Sequence, residues 1–378
     1  MNILVITNNY PSKRFPNHGA FLYNLIQELA VRHQITVISP NKLHQSLRKQ
    51  QATYGKERCE VYRPLYFSIS NRKIAGINTG KISDWFYDKA VKRILGRLSA
   101  KPDVIYVHFL SNALPVLDHA SQHDIPLVIA SGESTYASWV KKPVSLKSAL
   151  THQVNHVICV SKENRDQLIE LGFAKDKLSV IPNAVDYELF KPLDKEACRR
   201  KLGLSLNKFT VGFVGHFIHR KGPQRIIAAI ESLNDKDVQL LCVGGKGSLK
   251  PNDFMREMGP VPNFRLPEIY NSFDVFVLPT LHEGHCNVIE EAKACGIPII
   301  SSKGTSVEEQ IDESVGILVD PMNIEEIASA INLVKKDSAL RERMISNLLE
   351  RRGSNSLYER ANKIEKILAG VCEGKGRP

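Results

Sequence analysis

Two glutamates eight positions apart, Glu283 and Glu291, lie in the stretch Leu281 to Pro298, L-H-E-G-H-C-N-V-I-E-E-A-K-A-C-G-I-P. The apolar run Asp274 to Pro279 before it is short and β-branched, as expected of a buried parallel strand. Gly284 sits in the following loop, and Asn287 is placed to cap a helix over Val288–Cys295. Gly296 and Pro298 stop that helix, and Ile297 to Ser301 begins another strand. The loop therefore falls at the carboxyl end of a strand, where open α/β sheets bind ligands. The free N–H groups opening the helix suit a diphosphate. Carboxylates beside a phosphate would repel it, so they need another task, and sugar hydroxyls supply one. Glu291, about one turn into the helix, could accept both hydroxyls of a ribose. For either glutamate alone, a solvated acid favoured by the helix dipole is the plainer reading.

A cationic counterpart lies upstream. The apolar run Thr210 to Gly215 leads into His216-Phe217-Ile218-His219-Arg220-Lys221-Gly222, then into a helix from Pro223. Proline early in a helix with a cation just ahead of it marks an anion site. Near the start of the chain, Gly19 heads a helix patterned by Phe21, Leu22, Leu25, Ile26 and Leu29, and a glycine there permits close backbone approach to a ligand. Asp103 to Val107 reads as a strand ending in His108. The opening strand–loop–helix–strand lacks G-x-G-x-x-G, and no P-loop is present. Asp235-Lys236-Asp237 has the letters of a metal-binding D-x-D, but it precedes a strand and reads as a solvated turn.

The chain has 378 residues, enough for two ordinary domains, and its 43% hydrophobic and 24% charged content is that of a globular protein with full cores. Seven cysteines show no C-x-x-C pairing, so they read as small buried hydrophobes in a reducing compartment. Met1 to Ile6 reads as a strand, too short and uncharged for a signal peptide. No apolar run approaches the ~20 residues of a membrane-spanning helix.

Taken as a unit, E-G-x-x-N-V-x-x-E-A-x-A-C-G-x-P resembles the E-x7-E signature of the retaining, two-domain glycosyltransferases of family 4, matched at Glu283, Gly284, Asn287, Val288, Glu291, Ala292, Ala294, Cys295, Gly296 and Pro298. Further ordered segments resemble the same family: Gly19 in its first loop, His108 in D-V-I-x-x-H, Val160-Ser161, Ile181 to Phe190 as I-P-N-x-V-D-x-x-x-F, Lys221 in its K-G, and Gly259 to Pro262 as G-x-V-P. The resemblance implies an α/β chain of the GT-B fold, two doubly wound Rossmann-like domains facing each other across a cleft. The expected parts are an acceptor-side domain over 1–192, a nucleotide-sugar domain over 193–354, and over 355–378 a helix crossing back to the first domain, with a tail. It also implies that Glu283 and His108 orient the donor sugar, Lys221 carries leaving-group charge, and Glu291 holds the ribose. Gly284, His285, Cys286, Asn287 and Val288 line the donor through their backbone, Gly19 faces its diphosphate, and Val261 sits by the base. His216 stands where the family usually has arginine, with Arg220 as a candidate replacement; Cys286 and His285 replace the usual glycine or proline and phenylalanine.

The expected reaction is transfer of a hexose from a nucleotide-diphosphate sugar, UDP- ahead of GDP-, to a hydroxyl of a cell-envelope glycan or lipid-linked saccharide. Configuration is retained, without metal or cofactor, the nucleotide sugar being a substrate. The rivals are another enzyme on this scaffold, such as a nucleotide-sugar epimerase, and a non-enzymatic binder of anionic polymers. No element for specific nucleic-acid recognition accompanies the basic charge. That charge is localised: of a net +11, residues 1–100 supply 16 Lys and Arg against 5 Asp and Glu, and the remainder balances. Asp84 to Ala100 reads as an amphipathic basic helix, and basic clusters stand at 48–49 and 72–73. These point to an anionic membrane surface as a partner, and to a cytoplasmic protein peripheral on the inner face of the membrane.

Overall fold

The structure is a computed structural model that describes residues 1–12, 18–46, 58–69, 73–74, 77–245 and 247–374. The basic cluster at 48–49, Arg72 and the side chain of Lys73 lie outside the described residues. The chain divides into two compact units, residues Met1–Pro182 with Leu357–Pro378, and Asn183–Ser356. The first break thus precedes the position 192 expected from the sequence. The Ile181–Phe190 motif is cut in two, because Val185 and Phe190 are buried in the core of the second unit while Ile181 packs in the first.

In the first unit, the described residues form a parallel sheet of β1 (Asn2–Ile6), β2 (Gln34–Ile38), β3 (Glu60–Tyr62), β4 (Val104–His108), β5 (Leu127–Ser131), β6 (His156–Cys159) and β7 (Leu178–Val180), ordered β7-β6-β5-β4-β1-β2-β3. Alternation along the strands splits the core in two. Leu4, Ile6, Ile105 and Val107 face one side, while Ile3, Val5, Val104 and Tyr106 face the other. Helix α1 (Ala20–Leu29) covers the second side with Leu22, Leu25, Ile26 and Leu29. Burial on both faces explains why β4 and β5 read as unbroken apolar runs. Helix α2 spans Thr79–Leu95 rather than the expected 84–100. Past Leu95 the bonds tighten to i→i+3 at Arg97 and Leu98, which ends it. A further helix, α3 (Lys162–Glu170), is capped by Ser161, whose hydroxyl accepts from Asn164 N.

The second unit holds β8 (Phe209–His216), β9 (Val238–Gly245), β10 (Met255–Met258), β11 (Val275–Leu278), β12 (Ile299–Ser302) and β13 (Gly316–Val319), all parallel, ordered β10-β9-β8-β11-β12-β13. Strand β10 pairs in parallel with β9 at the edge of this sheet. The elements that matter below are α4 (Pro223–Leu233), α5 (Leu266–Tyr270) and α6 (Asn287–Ala294). Helix α7 (Ile324–Lys336) packs beside α4. The last helix, α8 (Leu357–Glu373), belongs to the first unit, where Ala361, Ile364 and Leu368 are buried beside α1. Arg32 on the loop after α1 ties to it through Glu365 at 2.7 Å, and the buried Arg360 donates Nη1 to Pro182 O at 2.7 Å.

β11 is anchored from below by Asp274, which accepts from Lys195 (2.8 Å), Arg199 (2.5 Å) and Thr210 N (2.7 Å). Burial alone would raise this carboxyl, but Lys195 and Arg199 override it and hold it below the usual carboxylate range. Its stabilising contribution is therefore present above about pH 4 and lost as pH falls through the lower folded value. Asp274→Asn should destabilise the second unit by about 3 kcal/mol in neutral denaturant titrations, since it leaves the buried Arg199 without its carboxylate. The difference from wild type should shrink as the solution is acidified below about pH 4.

Candidate functional site

Each sheet reverses its strand order once. In the second unit the reversal lies between β8 and β11, so the loops leaving their carboxyl ends flank a topological switch point. β8 ends at His216 and leads through a 3-10 turn, His219–Lys221, to Gly222 and α4. Gly222 has φ +76, and a Cβ there would lie 2.6 Å from Pro279 O, so the loops after β8 and β11 touch in a way only glycine allows. Buried Arg225 on α4 locks the same corner, donating to His219 O (3.0 Å) and Pro279 O (2.6 Å).

This corner brings Arg220, Lys221 and Glu283 together. Glu283 Oε1 lies 2.6 Å from Arg220 Nη1 and 2.5 Å from Lys221 Nζ, and accepts from Thr280 Oγ1 at 2.8 Å. The Glu283 side chain is only 10% exposed and that of Lys221 13%. Burial pulls the Lys221 ammonium down, but the charge and hydrogen bond of Glu283 oppose it, and the net shift is upward. Arg220 also donates to His282 O at 2.6 Å. His216, by contrast, is exposed at the tip of β8, so Arg220 is the one of the two joined to Lys221 and Glu283.

The loop then enters α6. Asn287 is not its cap, as the sequence suggested: Cys286 occupies that position without a side-chain cap, and Asn287 is the first helical residue. The Asn287 side chain is engaged elsewhere, accepting from Asn183 Nδ2 at 2.9 Å. Cys286 replaces side-chain capping with packing. Its thiol is buried 3.9 Å from Lys221 Nζ and is pushed up to about 12 by burial, so it stays neutral and adds no counter-charge. Gln310 fastens the turn from outside, accepting from Cys286 N (2.8 Å) and donating to Cys286 O (3.1 Å). It also donates to the buried Glu290 at 2.9 Å, beside His285 and Lys293. Gly284 is buried, while Val288 and Val261 are half-buried against the core. Glu291, one turn on, accepts from Tyr270 Oη at 2.7 Å, and burial raises its carboxyl to about 7 in spite of that bond.

In the first unit the reversal lies between β1 and β4. Gly19 caps α1 at φ +73, where a Cβ would fall 2.0 Å from Asn9 O. His108 ends β4 but is 3% exposed, its ring edge-on to Tyr106 at 4.8 Å. Burial, helped by the Arg360 charge, lowers it to about 3, so it is neutral. Asn112 links the two loops, donating to Asn8 Oδ1 (3.3 Å) and His108 O (2.6 Å). Next to it, Ser131 donates to Glu133 at 2.6 Å, and the Glu133 carboxyl also accepts from Leu110 N at 2.7 Å. Burial nevertheless raises Glu133.

Sequence reasoning missed Thr280, three residues before the Glu283 it holds, and Gln310, Tyr270 and Arg225, which reach Cys286, Glu291 and Pro279 from elements distant in the chain. Only Asn183 had a signal, as part of the I-P-N motif. The two named groups in the first unit, Gly19 and His108, share that unit's switch point, and Lys221, Glu283 and α6 share the other. Among the described residues no group of three His, Cys, Asp or Glu could hold a metal ion.

The chain matches two family models, "Glycosyltransferase Family 4" over residues 19–189 and "Glycosyl transferases group 1" over residues 194–351. A protein of Bacillus subtilis assigned to teichuronic acid biosynthesis as a glycosyltransferase, TuaC, is 27% identical over 93% of both chains. The fold is similar to that of sucrose-phosphate synthase from Thermosynechococcus elongatus (TM-score 0.81, 18% identity, 99% of each chain). It is also similar to that of Anabaena HepE in complex with UDP and glucose (TM-score 0.75, 19% identity, 97% of this chain and 99% of that one).

Glu283→Gln removes the one carboxylate found on Lys221 and Arg220. Inorganic pyrophosphate, measured by calorimetry at low salt, should then bind about tenfold tighter than to wild type, and Lys221→Met should abolish that gain.

Proposed function

Because the chain belongs to the family-4 glycosyltransferases, enzymes of the GT-B fold, we propose that it moves a hexose from a UDP-sugar to a hydroxyl of a growing envelope polysaccharide or lipid-linked saccharide, with retention of configuration. One observation carries the donor half of this reading. Two cations and a helix N-terminus converge at the switch point of the second unit, with a carboxylate one turn further along α6.

In this reading the diphosphate sits at the start of α6, and Lys221, Arg220 and the first amides of the helix take the charge that develops on the leaving phosphate. The positive charge comes from these groups rather than from a divalent metal. Glu283 exchanges its ion pairs for a hydroxyl of the sugar as the phosphates reach the cations. Glu291 takes both ribose hydroxyls, and Val261 lies by the base. His216 and the backbone from Gly284 to Val288 complete the donor side. The family resemblance adds Gly19 and His108 to the residues assigned to the donor. A neutral His108 is a hydrogen-bonding group, not a cation, so its part is orientation of the sugar. Glycan and lipid-linked acceptors are the partners consistent with the polysaccharide role of the relatives.

The test is calorimetric titration of a panel of UDP- and GDP-sugars. Micromolar binding of a UDP-sugar, lost with Lys221→Met, is the expected result; binding of none would refute the donor assignment. The anomeric configuration of the product, followed by NMR, tests retention. The Glu291 carboxyl supplies a pH signature. Two ribose hydroxyls need it ionised, and it titrates near 7. UDP-glucose itself has no group titrating there, so its affinity should fall about tenfold per pH unit below about 7 and level off above. In Glu291→Gln that dependence should vanish and binding should be weak throughout. The same variant should unfold at a higher temperature than wild type above pH 7. A carboxyl whose folded value is raised loses stability as pH climbs from its ordinary value through the folded one, and the amide has none to lose.

A further inference from the structure

Among the described residues, Phe109, Asp124 and Asn234 have positive φ without being glycine, at +70, +48 and +47. Aspartate and asparagine tolerate the left-handed helical region. Phe109 lies outside that region, with ψ 141, where a bulky side chain is strained and glycine is at ease. It follows His108 at the carboxyl end of β4 and precedes the 3-10 helix Leu110–Val116, with its ring half-buried. Strain of this kind persists only where the surroundings over-determine it, and it gathers at functional sites.

The bonds that hold it can be followed one by one. Phe109 N continues the ladder onto Ala130 O at 2.9 Å. The next amide leaves the ladder, and Leu110 N donates to Glu133 Oε1 at 2.7 Å. Phe109 O accepts from Asn112 N at 3.1 Å, and Asn112 Nδ2 returns to His108 O at 2.6 Å. The strained peptide is thus anchored locally through its carbonyl and at long range through the Glu133 carboxyl. Glu133 is itself braced. Its Oε2 accepts from Ser131 Oγ at 2.6 Å, Ser131 Oγ also meets the buried Tyr136 Oη, and Asn164 Nδ2 on α3 donates to Glu133 O at 3.1 Å.

We propose that Glu133 is the positioning residue of the first unit's switch point. By holding Leu110 N it keeps Phe109 in a conformation the side chain disfavours, and so fixes His108 and the loop that follows. Its importance for sugar transfer rests on the reading above, in which His108 orients the donor sugar. Glu133 acts through the backbone from His108 to Asn112 and not on the reacting atoms.

The experiment compares Phe109→Ala with Phe109→Gly in the full chain. Both remove the ring, and only glycine is unstrained at this φ and ψ. The chain's two tryptophans, Trp85 and Trp139, both belong to the first unit, so their emission in urea follows the unfolding of that unit. Glycine should favour the folded state over alanine by about tenfold, the reverse of the usual order. In a Glu133→Ala background the turn can relax, and alanine should become the better residue by about threefold. If Glu133→Ala does not fold, Glu133→Asp takes its place, because the shorter acid draws back from Leu110 N. Alanine equal to or better than glycine beside an intact Glu133, or an undiminished advantage of glycine without it, would overturn the proposal. Turnover separates positioning from a merely structural part. With water as acceptor, UDP release from UDP-glucose, or from the UDP-sugar of the panel that binds in its place, should lose at least about tenfold in kcat in Glu133→Ala, with KM within about twofold. Glu133→Gln, whose amide oxygen can still accept from Leu110 N, should stay within about threefold of wild type. An unchanged kcat in Glu133→Ala would overturn the proposal as well. A wild type that binds no UDP-sugar would refute the donor reading instead, and the order of glycine and alanine would still decide whether Glu133 sets this loop.

Discussion

A carboxylate held between two cations at a sheet's switch point is the constraint on which the second unit's site depends. Glu283 reaches Lys221 and Arg220 only because the loops after β8 and β11 touch, and they touch because Gly222 has no Cβ. Arg225 then fixes that contact through two carbonyls. In a corner this shielded, the ion pairs are less screened than surface pairs, and the thiol of Cys286 stays neutral. Two positive charges against one negative leave the corner with a surplus cation facing the start of α6, which is what an incoming diphosphate requires.

The same rule of strand order operates in both units. Each sheet reverses direction once, and at each reversal two loops diverge and leave backbone and side chains accessible. In the first unit the place is occupied by a glycine pressed onto Asn9 and by a neutral buried histidine. In the second it holds the cations and α6. Among the described residues, the paired cations Arg220 and Lys221 mark the second switch point.

Much of this could be read from the sequence because the informative signals are local. A strand buried on both faces is a short apolar run, and a helix between a loop and Gly-x-Pro is bounded by its own residues. Glu283, Glu291 and Lys221 stand out through the resemblance of their segments to the family-4 motifs. What could not be read is held by distant partners. Asn287 looks like a cap by position, but Asn183 claims its side chain, so the cap passes to Cys286. The first unit's limit fell at Pro182 because Val185 and Phe190 choose the second core, a choice made by packing and invisible in the motif itself.

The two glutamates of the α6 stretch, equivalent as letters, have become opposite kinds of acid. Glu283 is surrounded by two cations and a hydroxyl. Glu291 has only a tyrosine hydroxyl against its burial, so its proton is held to about pH 7. In the proposed donor complex, repulsion from a diphosphate is avoided in two different ways. One acid is neutralised by cations that the phosphate itself can take over, and the other is set a helical turn away, where donors rather than anions are its natural partners. A site built with both acids in the same surroundings would either repel the phosphates or leave hydroxyls without an ionised acceptor, which is why their spacing of eight residues matters more than their number.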